Sequence, residues 1–498
     1  MTRPTVSRRE ALGLFAATSA ISTGTLQPGS AVAQSAPAAP APVQSADWSE
    51  PLAKYIATSQ TAAIPEETRE LVRRHILDTL ASIVACRDLQ AAEVARAFVK
   101  VQSAGAQAAP ILGTKERASL LDAILASGMT AHAAEINDFC PSAFTQPGAS
   151  IIPTTLCAGE MRNATGEQLL RAVLVGYELT CRLPKALGIA NLRDALIANH
   201  SVGPTLGSAA ALASLIRLPQ EKLIHVFSYF VQQASGSWQW LRDIEHIEKA
   251  FVFGGMPARR GAECTLMAEA GFTGIGDPFV GNPGWLNSSI FKGANSDFNP
   301  NYLTEKLGER FEIPLVGYKR YPVGGPTQPV IELMLGFVKE IPPARVKHVR
   351  IEMPGRTSAF ASAEMPALNL PYLCSIILAD GKLDFVAAQS RERFLNDTKI
   401  REFMRNVEVV HDPQQEAEPR VESARVILRL DDGSTRERFL HHVKGFPEHP
   451  FDRKDVEEKA MELMAPHLGE ARAREICTTT LQIERVTNVR QLVQLIAR

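Results

Sequence analysis

The stretch "AHAAEINDFCPSAFTQPGAS", residues 131–150, groups side chains that can move protons. Glu135, Asn137 and Asp138 lie within four residues, and Gln146-Pro147-Gly148 follows as a turn. Acids clustered ahead of a Pro-Gly turn point to acid/base chemistry, which wants a donor and an acceptor near neutral pH. Histidine would serve, but Gln146 stands where one would be wanted, and a carboxamide does not exchange protons.

The elements that must position this loop are mostly helical. "IPEETRELVRRHILDTLASIVA" places Pro65 at a helix start, acids in the first turn, and Val72, Ile76, Leu80, Ile83 and Val84 on one face. "GEQLLRAVLVGYELTCRL", 166–183, is apolar nearly all round and predicts a buried central helix. "TLGSAAALASLIRL", 205–218, carries the small residues that let helices approach closely. Beyond residue 271 the period changes. "VKHVRIEM" alternates as a half-buried strand, and "ARVILRLDDGSTRERFL" predicts a hairpin turning at Asp432-Gly433. "LPYLCSIILAD" and "RERFLNDTKIREFMRNV" between them predict helices, and helix resumes in the tail. The expected fold is mostly α: a helical domain from 47–270 and 444–498, with an α+β lid domain, 271–443, inserted and a small-molecule cleft between them.

A net charge of −1 over 498 residues gives no field to attract nucleic acid or an anionic membrane. No phosphate-binding glycine loop occurs, so nothing indicates a nucleotide. Arg8-Arg9 precedes a short apolar run, and "AVA" ends at Ala33, which predicts a twin-arginine signal over 1–33 and an Ala/Pro linker over 34–46. That route carries folded cargo, so the expected location is periplasmic, with no membrane span in the mature protein. The seven cysteines contain no C-x-x-C. Cys86, Cys157 and Cys181 sit in apolar helical text as small hydrophobes, and Cys140 lies in the acidic loop.

"HILDTLASIVA", "GMTAHAAEIND", "QPGASIIPTTL", "GYELTCRL", "QQASGS", "EKAFVFGGMPARRG", "GYKRYPVGG", "LPYLCSIILADGKL" and "VKGFPEHP", in this order and spacing, resemble the MmgE/PrpD family from about residue 50 onward. The family includes 2-methylcitrate dehydratase, cis-aconitate decarboxylase and iminodisuccinate epimerase. The resemblance implies a helical domain with an α+β lid, a homodimer, no metal or organic cofactor, and a small carboxylate substrate. The family's acidic loop falls on Glu135 to Asp138, and the histidine that usually follows is Gln146. His200 in "NHSVGPTLGS" suits a second family histidine, Lys249 matches the family lysine, and Arg259 follows it. The lid motif falls on Lys319 and Arg320, with Gly324, Gly325 and Gln328 where members often carry a further histidine.

Removing a proton α to a carboxylate builds a dianion, so a base and fixed cations are needed. Lys249, His200, Glu135 and Asp138 are the catalytic candidates, and Gln146, Arg259, Lys319 and Arg320 the substrate-binding ones. With acids and lysine kept and imidazoles exchanged for neutral groups, the reading is a retuned, exported lyase or isomerase, divergent from the dehydratases. The alternatives are a non-catalytic carboxylate-binding protein, or a 2-methylcitrate dehydratase-like enzyme with relocated acid/base groups.

Overall fold

The first apolar face forms the helix Glu66–Cys86, with Pro65 just ahead of it and Glu66 and Glu67 in its first turn. Every residue from His75 to Cys86 is buried, so this helix takes His75 and Asp78 into the interior along with its leucines and isoleucines. The structure is a computed structural model and describes residues 47–291, 297–355, 357–416 and 422–498. The expected signal and linker, 1–46, lie outside the described residues.

Ser119 caps the helix Leu120–Ala131, and the Thr165/Gln168 capping box starts Gly166–Leu187. Gly166–Leu187 packs along Asn199–Leu215, which packs in turn on Met256–Glu269. This last helix is continuous with Ile247–Ala250 through a π-helical turn, Phe251–Gly255. Gly254 permits the turn's seat: a Cβ there would lie 2.1 Å from the carbonyl oxygen of Gly128. The C-terminal helices Arg453–Leu468 and Glu470–Leu481 return to cover Glu66–Cys86.

A four-stranded mixed sheet runs in the order Val407–His411, Val346–Met353, Ala424–Leu430, Thr435–Leu440. Val346–Met353 pairs parallel with Val407–His411 and antiparallel with Ala424–Leu430, aligning Ile351 with Val409 and Val426. Val349, Ile351, Val426 and Leu428 face a core of their own with the helices Gln328–Val338 and Leu370–Asp380. The fold is mostly helical with a small mixed sheet in the C-terminal region, as the change of period implied. One helix departs from expectation. "RERFLNDTKIREFMRNV" breaks into Arg391–Asn396 and Thr398–Met404 because the Asp397 carboxylate caps the second piece, accepting from the N–H groups of Lys399 and Ile400. Among the described residues no helix is long and apolar enough to cross a membrane.

Candidate active site

The helix Leu120–Ala131 ends at His132, and the chain turns inward so that Glu135 is 1% exposed. Burying a carboxylate demands partners, and four surround it. Lys249 forms an ion pair with Oε1, and Lys319 Nζ lies 3.0 Å from Oε2. His246 Nε2–H donates to Oε1 over 3.1 Å, and His132 Nε2 stands 3.6 Å from the same oxygen. Lys249 is positioned by its backbone N–H, which donates to Asp243 Oδ2 at 2.8 Å. His246, just ahead of that helical turn, has a left-handed backbone with φ 61°, unusual for a residue with a side chain. This conformation turns its ring onto Glu135, a strain of the kind that gathers at functional sites.

Burial pushes the Glu135 carboxyl up, but the Lys249 and Lys319 ammoniums override it and hold the group well below the ordinary carboxylate value. Burial lowers Lys249, with Glu135 opposing without cancelling. Burial also drives His132 well below the ordinary imidazole value against the pull of Glu135, so this ring is neutral.

A second buried group adjoins the first. Asp138 accepts from the Tyr177 hydroxyl at 2.7 Å and the Gly148 N–H at 3.1 Å, with His75 Nδ1 at 3.3 Å from its Oδ2. Gly148 is required here, since a Cβ would fall 2.3 Å from Thr79 Oγ1 and 2.8 Å from the Tyr177 hydroxyl. Asp78 and Lys459 pair at 2.5 Å, and the same ammonium donates to the Ile136 carbonyl at 2.8 Å, bracing the loop from below. Burial raises Asp78 and lowers Lys459, each partner opposing.

His200 Nδ1 is 3.1 Å from Gln146 Oε1, so the carboxamide orients this imidazole. The Phe253 ring stacks on His200 at 4.1 Å and on His132 at 4.7 Å, joining the Gln146 side of the site to the Glu135 side. Trp240 and Trp238 stand edge-on to His200, and Lys249 Nζ lies 4.8 Å from the Trp240 ring.

Of the candidates drawn from sequence, the structure joins Glu135, Lys249 and Lys319 directly. It sets Asp138 beside them, and His200 with Gln146 one ring away. Two others point elsewhere. Arg259 pairs with Asp122 at 2.5 Å, at the start of the Leu120–Ala131 helix. That is roughly 14 Å from the His132 end at 1.5 Å per residue. Arg320 pairs with Glu462 at 2.6 Å on the surface, because the extended chain that turns Lys319 inward turns its neighbour out. Gln328 is structural: its side chain accepts from the N–H groups of Arg320 and Tyr321 and donates to the carbonyls of Tyr321 and Val323.

Sequence reasoning passed over His132, His246, His75, Asp78, Tyr177 and Lys459. The signal for two of them was a His and an Asp inside the apolar text "HILDTLASIVA", where a polar residue is more informative than the hydrophobes around it. His132 and His246 each stand three residues before a candidate, Glu135 and Lys249. They correct the expectation that the imidazoles give way to neutral groups: that holds at Gln146, while two other imidazoles meet Glu135.

His132, Glu135 and His246 place one donor atom each within 4.8 Å of one another, a spacing that could hold a metal ion. Two ammonium groups on the same carboxylate work against a divalent cation there. What the arrangement favours is an anion, with titratable groups around it. Fold and centre thus define a helical protein with a buried carboxylate held by lysine and imidazole. The chain belongs to the MmgE/PrpD family: the family's N-terminal domain matches residues 50–298 and its C-terminal domain residues 321–483. Members are generally lyases, dehydratases and decarboxylases, and membership implies a lyase-type enzyme acting on carboxylate substrates. No curated protein matches the chain.

Proposed function

We propose that this protein is a lyase or isomerase performing proton chemistry at the carbon next to a substrate carboxylate, with its own side chains as acid, base and cations. The observation that carries this reading is the buried Glu135 carboxylate gripped by Lys249 and Lys319 and flanked by His132 and His246. A substrate carboxylate enters as a second anion for the two ammoniums. When the α-proton leaves, the growing charge sits between them, where preorganised cations in a water-poor site are most effective. With the His132 Nδ1–H given to the Asn137 carbonyl oxygen, Nε2 keeps a lone pair 3.6 Å from Glu135, and it is the acceptor for that proton. His246 and His200 remain to deliver a proton to a leaving group or to the opposite face. The Arg8-Arg9 segment supports export of the folded enzyme, and the family resemblance supports a homodimer.

The test follows deuterium incorporation at the α-carbon by NMR, for wild type and Lys249→Met, over hydroxy mono-, di- and tricarboxylates. The variant should lose about 3 kcal/mol of transition-state stabilisation, a hundredfold or more in rate. Exchange that is unchanged in the variant removes Lys249 from the reaction. Binding without exchange by wild type on every compound favours a carboxylate-binding protein instead.

A further inference from the structure

We propose that Cys140 and Cys181 form a peroxide-sensitive thiol pair, which closes to a disulfide and fastens the acidic loop to the helix Gly166–Leu187. The proposal is independent of the lyase reading. Its basis is the register between loop and helix. Asp138 meets Tyr177, and Cys140, two residues on, has its side chain in hydrogen-bonding contact with Cys181, one turn on. Two extended residues advance about 6.6 Å and four helical residues about 6 Å, so the two segments run in step. The Cys140 backbone is pinned from the other side. Its N–H donates to the Thr145 carbonyl at 2.8 Å, and the Thr145 N–H donates to the Cys140 carbonyl at 3.3 Å. Both thiols are fully buried and both are free.

The surroundings favour a thiolate at Cys140. The hydrogen bond with Cys181 outweighs burial and, with the Lys185 ammonium and the Ser142 hydroxyl, lowers the Cys140 thiol to about 7 against the pull of Glu312. Ser142 Oγ is 3.5 Å from Cys140 Sγ, and Lys185, one turn beyond Cys181, pairs with Glu312. Burial pushes Cys86, Cys157, Cys264 and Cys374 up to about 12 and Cys477 up to about 11. Those thiols are poor nucleophiles. Burial also raises Cys181, which leaves Cys140 to attack and Cys181 to resolve. Two buried sulfurs admit only a small oxidant, and hydrogen peroxide is one. The Cys140 thiolate attacks one peroxide oxygen, the O–O bond breaks, and the departing hydroxide takes a proton to leave as water. Cys140 is then a sulfenic acid. The Cys181 sulfur attacks the Cys140 sulfur, the S–O bond breaks, and the hydroxide leaves with the Cys181 proton as a second water. The two thiols give up two electrons in all, and the peroxide gains them.

The test treats the folded full-length protein with hydrogen peroxide, quenches with catalase, unfolds and alkylates, and maps the cysteines by mass spectrometry. A peptide joining Cys140 to Cys181 should form at least ~10-fold faster than any other cysteine is oxidised, and a thiol reductant should reverse it. In Cys181→Ser, Cys140 should stop at the sulfenic acid, trapped by dimedone, and pass on to the sulfinic acid without a cross-link. The wild-type map decides the matter even where that variant does not fold. Cys140 oxidised to the sulfinic acid in wild type, with no joined peptide, overturns the pair. So does a Cys140 thiol left intact by peroxide, or a cross-link from Cys140 to any cysteine other than Cys181.

Discussion

Asn137 fixes the tautomer of His132. The Asn137 amide group faces Asp138 at 3.4 and 3.5 Å, so its carbonyl oxygen is the atom 2.7 Å from His132 Nδ1 and accepts the hydrogen there. Nε2 is left with a lone pair, pointed at a carboxylate 3.6 Å away. A bare acceptor beside an anion is a place for a proton to arrive.

Asn137→Asp should therefore move the acid limb of the α-exchange pH profile to higher pH. A carboxylate on Nδ1 favours the charged imidazole, so His132 would stay protonated further up the scale and be unready as acceptor. A shift of about one pH unit is expected. A profile identical to wild type contradicts the role given to His132.

Stability should fall on acidification in two stages. His132 has a folded-state pKa below its unfolded value of about 6.5, so protons favour the unfolded chain as pH drops below that point. Glu135 is also depressed, so its contribution is complete above about 4.5 and is lost as pH falls through the lower folded-state value. Asp78, raised by burial, works in the opposite sense and offsets part of the second stage. Melting temperatures from pH 8 down to about 2 check this. His132→Phe should remove the first stage, and a wild-type melting temperature flat from pH 7 to 5 contradicts it.

Glu135 and Lys249 should behave as one energetic unit. Glu135→Gln leaves two ammoniums facing a neutral amide and should cost about 3–5 kcal/mol. Lys249→Met added to it removes one of those ammoniums, so the double variant should be more stable than the sum of the singles by about 1–3 kcal/mol. Urea unfolding of the four proteins measures the coupling, and additivity to within about 0.5 kcal/mol would show none.

Export is tested in the cell. With Arg8 and Arg9 both replaced by lysine, the twin-arginine route should refuse the protein, leaving it in the cytoplasmic fraction. Continued arrival in the periplasm sinks the signal assignment.

Much of the fold was legible because burial writes a period into sequence. The alternation through Val349, Ile351 and Met353 and the mostly apolar text of 166–183 each specify an element. Centre residues are harder to read. Glu135, Lys249 and Lys319 are distant in the chain and were found only through motifs. Sequence proximity also misled for Arg259 and Arg320, because direction is decided by helix phase and strand alternation, not by the charge itself. His246 was invisible for a different reason: a left-handed residue with a large side chain follows no local preference and is held by the tertiary structure.

The π-helical turn Phe251–Gly255 has a consequence of its own. Such a turn holds one residue more than an α-turn, so everything after it is rotated by about 100° relative to an uninterrupted helix. Lys249 lies before the turn and Arg259 after it. The turn acts as an indexing collar: the lysine's aim is set on one side of it and the arginine's on the other. Loss of one residue within the collar would turn Arg259 by about 100° relative to Lys249. Lys249 and Arg259 thus reach different partners, Glu135 and Asp122, from one continuous helical run.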